Sequence, residues 1–174
     1  MSLVPFRKMH GAGNDFVILD ARRAELPELD FEALADRRTG VGCDQIIVLR
    51  SSNKADCFMQ ILNADGSEVD ACGNATRCVG WILMEEKEPK TLHSSIETKA
   101  GLLQCRREEA ESVQVSASLP PPNLHWQQIP LAEARDVMAV EVEGVKGAVV
   151  NVGNPHFVFF HPSPASVDLQ TLGK

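Results

Sequence analysis

The chain has 174 residues, of which 44% are hydrophobic and 24% charged, and its formal net charge is −7. This length is enough for one good core or two small ones. The acidic charge argues against nucleic acid and anionic membranes as partners, because neither attracts a net acidic protein. No apolar run approaches membrane-spanning length, and the N-terminus lacks the charged-then-apolar pattern of a signal peptide.

The cysteines indicate the redox compartment. They are odd in number and contain no C-x-x-C pair, which disfavours both a structural zinc site and a secreted disulfide framework. We therefore expect a cytoplasmic protein without a metal. The five are Cys43, Cys57, Cys72, Cys78 and Cys105.

The chain opens with two predicted strands, residues 4–9 and 15–21, joined by a loop over 10–14. The loop contains a lone G-x-G, which is poor evidence for a dinucleotide site because the third glycine and a following helix are missing. Its glycines instead permit a tight reversal that brings Asn14 towards a ligand. Taken alone, Asn14 would be a turn residue whose side chain bonds its own backbone.

Residues 30–118 predict a mixture of helices and short strands. Asp30 is the N-cap candidate of a helix over 31–38, which the glycine-containing segment 39–42 ends. A second helix is predicted over 74–86, with Pro89 as its stop. Tight turns are expected at Asp65-Gly66 and Ala100-Gly101. The strands of this part are predicted over 45–49, 56–62, 95–99, 102–106 and 113–118.

The prolines at 120–122 predict a domain boundary, because consecutive prolines are extended and cannot join a central sheet. We assign residues 1–118 to a first domain and 119–174 to a linker and the beginning of a second. Residues 119–174 are too few for more than a marginal domain, so we expect a fragment of a longer protein. Its predicted elements are strands over 138–143, 146–152 and 157–160, a loop over 153–156 and the opening of a helix over 164–172.

Cys72 lies between a turn and the predicted start of the second helix, directly before Gly73-Asn74. At such a position thiolates are stabilised, and backbone N–H groups are free to hold a carboxylate. For an arbitrary cysteine, a small buried hydrophobic residue would be the commoner interpretation. The neighbouring motifs decide between the two.

Four segments together resemble the diaminopimelate epimerase family: KMHGAGNDFVILDA, ADRRTGVGCDQIIVL, NADGSEVDACGNATR and VNVGNPHFV. Ala75, Cys43 and Thr76 depart from the commonest forms of these motifs. Ala75 leaves the N–H groups of Gly73 and Asn74 in place, so we expect it to be compatible with activity. The family also has a second cysteine in a glycine-rich, acidic-arginine motif towards its C-terminus, and this sequence contains no counterpart of that motif.

The resemblance implies an α/β (α+β) fold of two pseudo-symmetric domains, each a curved mixed sheet around a central helix, with the second domain incomplete here. It also implies cofactor-independent epimerisation of LL-2,6-diaminopimelate to the meso form by two thiols, in lysine and peptidoglycan-precursor biosynthesis. A protein without a cofactor must hold an acid and a base on opposite faces of the substrate. Cysteine suits that role at a helix start.

The resemblance implies that Cys72 is catalytic and that His156 assists a thiol. The alternative for His156 is a structural histidine at the start of a strand. Neutral amides suit a zwitterionic amino acid because they donate and accept hydrogen bonds at once; otherwise they are turn or cap residues. The partner implied is a small amino-acid substrate, and a homodimer stays open. The substrate-binding positions implied are Asn14, Gln45, Asn63, Gly73, Asn74 and Asn154.

Two other functions compete with this one. The first is a related cofactor-independent racemase or isomerase of the same fold that acts on proline, histidine or a small unsaturated acid. The second is a non-enzymatic fragment that only binds a ligand, which is the better interpretation if the native chain ends at Lys174, because one thiol cannot complete an inversion. A redox cysteine is disfavoured because no resolving partner lies near Cys72 in the sequence.

Overall fold

The computed structural model describes residues 3–168 and 172 and divides into two compact units, Met1–Pro120 and Pro121–Lys174. Each unit has its own hydrophobic core. In the described residues, no helix is both long and apolar enough to cross a membrane.

The first unit is built on one eight-stranded mixed sheet in the order β1-β2-β3-β4-β6-β7-β8, with β5 paired to β4. The pairs β2–β3 and β4–β6 are parallel and the others antiparallel. The strands, in chain order from β1 to β8, are Phe6–Gly11, Asn14–Ala21, Gln45–Arg50, Cys57–Asn63, Glu68–Val69, His93–Thr98, Gly101–Arg106 and Ser116–Ser118.

Two helices pack on opposite faces of this sheet: α1, Phe31–Ala35, and α2, Gly73–Glu85. Helix α2 contacts β1 at one edge of the sheet and β8 at the other, as well as β6 and β7. Strands from both edges reach the same helix only if the sheet curls around it. The predicted curved mixed sheet around a central helix is therefore confirmed for the first unit.

The alternation of side chains along the strands explains both helix contacts. Successive residues of a strand point to opposite faces. On the α2 side, Phe16 and Ile18 of β2 and Ile47 and Leu49 of β3 are buried with the helix residues Val79, Ile82 and Met84. On the α1 side, the intervening residues Val17, Leu19, Ile46 and Val48 are buried with Ala35 and Cys43.

Several predicted boundaries are wrong in detail. The predicted loop over 10–14 is shorter, because Gly11 pairs with Asn14 and only Ala12 and Gly13 remain in the turn. The helix over 31–38 starts at the predicted cap, where Asp30 accepts the N–H of Ala33. It ends at Ala35 because the Asp36 carboxylate takes the N–H groups of residues 38 and 39.

Further along the first unit the errors are one to three residues. The turn predicted at Ala100-Gly101 lies one residue earlier, because Thr98 pairs with Gly101. The strand predicted over 113–118 begins only at Ser116, where pairing with Arg106 starts. Strand β5 was not predicted, because a two-residue strand carries no periodicity.

The second unit contains a three-stranded antiparallel sheet of β9, Val140–Val142, β10, Val145–Asn151, and β11, Pro155–Val158. Ile129, Val140 and Val149 form its small core. The predicted strand over 138–143 is shorter because it pairs only with residues 145–147. The predicted strand over 157–160 lies two residues earlier because Pro155 pairs with Asn151, and Phe160 is 98% exposed. In the predicted helix over 164–172, Pro164–Ser166 form a short 3-10 helix, and residues 169–171 lie outside the described part.

Arg107 fixes the C-terminal end of α2. Its side chain is fully buried, and Nη1 donates to Glu85 Oε1 at 2.5 Å. Nη2 donates to the Met84 carbonyl at 3.3 Å and Nε to the Thr91 carbonyl at 3.1 Å. The Nη2 bond reaches a carbonyl in the last turn of α2, where carbonyls lack intrahelical partners, and the Nε bond joins the helix end to the segment that follows it.

Replacing Arg107 by methionine should therefore lower the free energy of unfolding of the chain by about 3 kcal/mol or more, because buried acceptors lose their donors. Urea denaturation of the purified chain measures this loss. The matched control is Arg106→Met, since Arg106 is 58% exposed and its guanidinium pairs with Glu108 on the surface. Equal losses in the two variants would contradict this role of Arg107.

Candidate active site

Cys72 is the N-cap of α2, and the first turn of the helix holds both its sulfur and its backbone. Sγ accepts the N–H of Ala75 at 3.4 Å. The Cys72 carbonyl accepts the Thr76 N–H at 2.9 Å and the Thr76 hydroxyl at 2.8 Å. A partly buried thiol is thus fixed at the positive end of a 13-residue helix.

The same helix start offers two backbone donors. Among the residues that the structure describes, none accepts the N–H of Gly73 or of Asn74. Both residues are only partly buried, so a ligand can approach them. Free N–H groups at a helix N-terminus bind anions such as carboxylates.

The β1–β2 hairpin packs directly against this helix start. Its turn residues Ala12 and Gly13 have positive φ angles of 53° and 89°, which a tight reversal of this kind requires. A Cβ added to Gly11 would lie 3.0 Å from the Asn74 carbonyl oxygen, so a larger residue would force the hairpin and the helix start apart by a few tenths of an ångström. The hairpin thereby brings Asn14 Oδ1 to 3.7 Å from Cys72 Sγ.

Gln45 and Asn63 are two further amide residues, on the same face of the sheet as Asn14. They are opposite each other on β3 and β4, and Gln45 Nε2 donates to Asn63 Oδ1 at 3.0 Å. Asn63 Nδ2 donates in turn to Ser67 Oγ at 3.1 Å. Because side chains alternate along a strand, both side chains lie on the face of the sheet that packs on α2. Asn14 lies on that face too, since it is two residues before Phe16, which pairs with Gln45 and is buried against α2.

Gln45 Oε1 is buried and has no hydrogen-bond partner among the described residues. Buried polar atoms are nearly always paired, so an oxygen left without a donor indicates a missing ligand or water. This oxygen can accept a hydrogen bond from an N–H group of a bound molecule.

Asn154 and His156 lie together in the second unit. Both are exposed, and His156 Nε2 lies 3.0 Å from Asn154 Oδ1. The sequence predicted both residues in one loop, but β11 begins at Pro155, so His156 is a strand residue paired with Val150.

A scan against family models finds the diaminopimelate epimerase model over residues 6–119. The chain belongs to the diaminopimelate epimerase family. Curated diaminopimelate epimerases from Rhizorhabdus wittichii and Rhodospirillum centenum are 50% and 49% identical to it, over 98% and 97% of this chain. The matches cover 61% and 59% of those relatives, so the chain spans about three fifths of their length.

A solved structure confirms the predicted fold class. The chain resembles a hydroxyproline epimerase from Agrobacterium vitis, solved with bound trans-4-hydroxy-L-proline, with a TM-score of 0.60. The identity is 18%, over 97% of this chain and 52% of that one. At that identity the likeness is one of fold.

Cys72 differs from the other four cysteines in exposure, since those four are buried. Burial raises the pKa of the Cys57 thiol to about 12 and the pKa values of the Cys78 and Cys105 thiols to about 11. Burial also raises the pKa of the Cys43 thiol. Because thiolates are the reactive form, we expect these four thiols to react slowly while the chain is folded. The prediction that Cys78 is a core residue is confirmed.

Iodoacetamide should therefore modify Cys72 in the folded chain at least about tenfold faster than any other cysteine. Peptide mass mapping over time gives the five rates. In guanidinium chloride, which serves as the control, the rates should converge because every thiol is then exposed. Comparable modification of a buried cysteine in the folded chain would contradict this assignment.

Asp44, Asp15 and Arg37 lie beside the site, although none of them was among the site residues predicted from the sequence. Asp44 Oδ2 accepts Nδ2–H of Asn14 at 3.0 Å, and Arg37 Nη2 bridges Asp44 at 2.8 Å and Asp15 at 2.7 Å. Arg37, followed by Lys8, holds the pKa of the Asp15 carboxyl well below its usual range. The positions of the two acids could have indicated them. Asp15 follows Asn14 at the start of β2, and Asp44 precedes Gln45 at the start of β3.

A separate groove of about 810 Å³ lies between β1 and residues 113–116, over the outer face of α2. His10, Arg77 and Trp81 are among its lining residues, and none of the predicted site residues is. The described residues include no group of His, Cys, Asp or Glu side chains that could hold a metal ion.

Proposed function

We propose that the protein containing this chain epimerises LL-2,6-diaminopimelate to the meso form without a cofactor, and that Cys72 is one of its two acid–base thiols. The observation that carries the proposal is the start of α2, where a partly exposed thiol and two N–H groups without an acceptor in the described part of the chain lie on consecutive residues. Membership of the family and the names of the relatives support it.

In this mechanism a thiolate removes the α-proton on one face of the substrate and becomes a thiol. The electron pair left behind delocalises into the adjacent carboxylate, whose negative charge therefore grows. A second thiol returns a proton on the opposite face and becomes the thiolate. The family resemblance implies a second cysteine, and the motif that carries it has no counterpart in these 174 residues.

Gly73 and Asn74 would stabilise the growing charge. Their N–H groups are fixed before the substrate arrives, and they belong to the positive end of α2. A donor of this kind typically lowers the barrier by about 3–4 kcal/mol. One helix start would thus hold both the base and the group that stabilises the product of proton removal.

The amides would hold the two amino-acid ends of the substrate. Gln45 Oε1 is suited to an ammonium group, because this buried oxygen lacks a donor in the described residues. Asn14 and Asn63 lie on the same sheet face, and Asn154 is the candidate in the second unit.

His156 is the candidate that would assist one of the thiols. With Asn154 Oδ1 accepting from Nε2–H, the ring nitrogen Nδ1 is left as a proton acceptor. A neutral imidazole of that tautomer can take a proton from a thiol. This role, like the choice of substrate, is proposed for the complete enzyme and not for the 174-residue chain alone.

The proposal predicts that Cys72→Ser lowers turnover by about 10²- to 10⁴-fold, because a hydroxyl cannot replace a thiolate as base. The experiment uses the complete gene product with LL-diaminopimelate in deuterated water, and NMR follows both α-deuterium incorporation and the meso product. Cys78→Ala is the matched control, since that thiol lies in the core, and it should retain turnover.

Two outcomes would contradict the proposal. Near-normal epimerisation by Cys72→Ser would exclude Cys72 as a catalytic base. Exchange on L-proline, without exchange on LL-diaminopimelate, would favour the related racemase of the same fold.

A further inference from the structure

The side chain of Asn14 lies between a carboxylate and the proposed catalytic thiol. Its Nδ2 donates to Asp44 Oδ2 at 3.0 Å, and its Oδ1 lies 3.7 Å from Cys72 Sγ. An amide has one donating end and one accepting end, whereas an ionised carboxylate only accepts. Asp44 therefore selects the NH2 end of Asn14, and the oxygen must face the sulfur.

Asp44 is itself held in place on several sides. Its Oδ2 also accepts the Asp15 N–H at 3.0 Å, and its own N–H donates to Asp15 Oδ1 at 3.0 Å. Arg37 binds its other oxygen at 2.8 Å. The hydrogen bonds from Asn14 and from the Asp15 backbone lower the pKa of the Asp44 carboxyl, with a smaller contribution from Arg37, so the carboxyl is ionised and only accepts.

We propose that Asp44 is a positioning residue that orients the Asn14 amide with its oxygen towards Cys72, and so sets the hydrogen bonding of the thiol. This inference rests on the proposed function of Cys72. An amide oxygen accepts the S–H of a neutral thiol, whereas an amide N–H would instead stabilise a thiolate. The orientation chosen by Asp44 therefore places a hydrogen-bond acceptor, and not a donor, beside the sulfur.

Other charged and titratable groups surround the site and stay the same in every variant below. Lys8 and Arg37 bind Asp15, and Arg77 Nη1 donates to Asn74 Oδ1 at 2.9 Å. The buried thiol of Cys78 lies on the same helix.

The test is a double-mutant cycle on the rate at which iodoacetamide modifies Cys72 in the complete gene product, at one fixed pH. Asp44→Asn can donate to Asn14, which lets the amide turn its N–H groups to the sulfur. Modification should then accelerate about threefold to tenfold, because the thiolate is the reactive form. In the Asn14→Leu background, where no amide remains, Asp44→Asn should leave the rate unchanged.

The second readout is turnover of LL-diaminopimelate. Asp44→Asn should lower kcat at least about tenfold, because the thiol and the amide leave their working geometry. Destabilisation would also accelerate modification of the buried Cys78 thiol, so the rate at Cys78 must stay unchanged while the rate at Cys72 rises. Asp36→Asn is the matched control, because Asp36 accepts N–H groups in the loop after α1 and not from Asn14, and it should leave both rates unchanged.

The same acceleration by Asp44→Asn in both backgrounds would overturn the proposal, because Asp44 would then act through its charge and not through Asn14. No acceleration in either background would overturn it as well. Failure of the proposed function gives a different result: Cys72→Ser would stay active, while the modification cycle would still report on Asn14 and Asp44.

Discussion

The first turn of α2 is the feature on which the site depends. A helix N-terminus leaves N–H groups without intrahelical partners. Here the Ala75 N–H bonds the Cys72 sulfur, while those of Gly73 and Asn74 have no acceptor in the described part of the chain. These donors serve a ligand only if the helix is held rigidly. The curled sheet holds its sides, Arg107 its C-terminal end and the β1–β2 hairpin its start.

The hydrophobic core under α2 and the candidate active site lie on the same face of the sheet, so the residues that stabilise the fold also position the site. Ile47 and Leu49 pack against α2, and Gln45 on the same strand carries the buried oxygen that has no donor among the described residues. The alternation that buries the apolar residues thus also aims the amide at the helix side. Polar residues continue the core face at the end of the sheet where the hairpin meets Cys72. A ligand bound there would provide hydrogen-bond partners for Gln45 Oε1 and for the N–H groups of Gly73 and Asn74, which have none among the described residues.

Residue patterns predicted local features, whereas the long-range arrangement of the sheet around α2 was predicted only through the family resemblance. The Asp30 cap and the helix start after Cys72 follow from residues within one turn, and both are confirmed. Helix α1 ends early because the Asp36 side chain competes for backbone N–H groups, which periodicity does not reveal. The contact of Asp44 with Asn14 depends on the parallel pairing of β2 and β3, and strand pairing cannot be read from two separate apolar runs.

In the proposed enzyme, the N–H groups of Gly73 and Asn74 at the start of α2 receive the substrate carboxylate beside Cys72. The most direct test is a titration of the ¹⁵N-labelled complete gene product with LL-diaminopimelate, followed through backbone amide resonances. A charged acceptor should move the amide protons of Gly73 and Asn74 downfield as the site fills. If other resonances report saturation while the amide proton shifts of Gly73 and Asn74 do not change, the carboxylate binds elsewhere and the proposed role of these two residues is wrong.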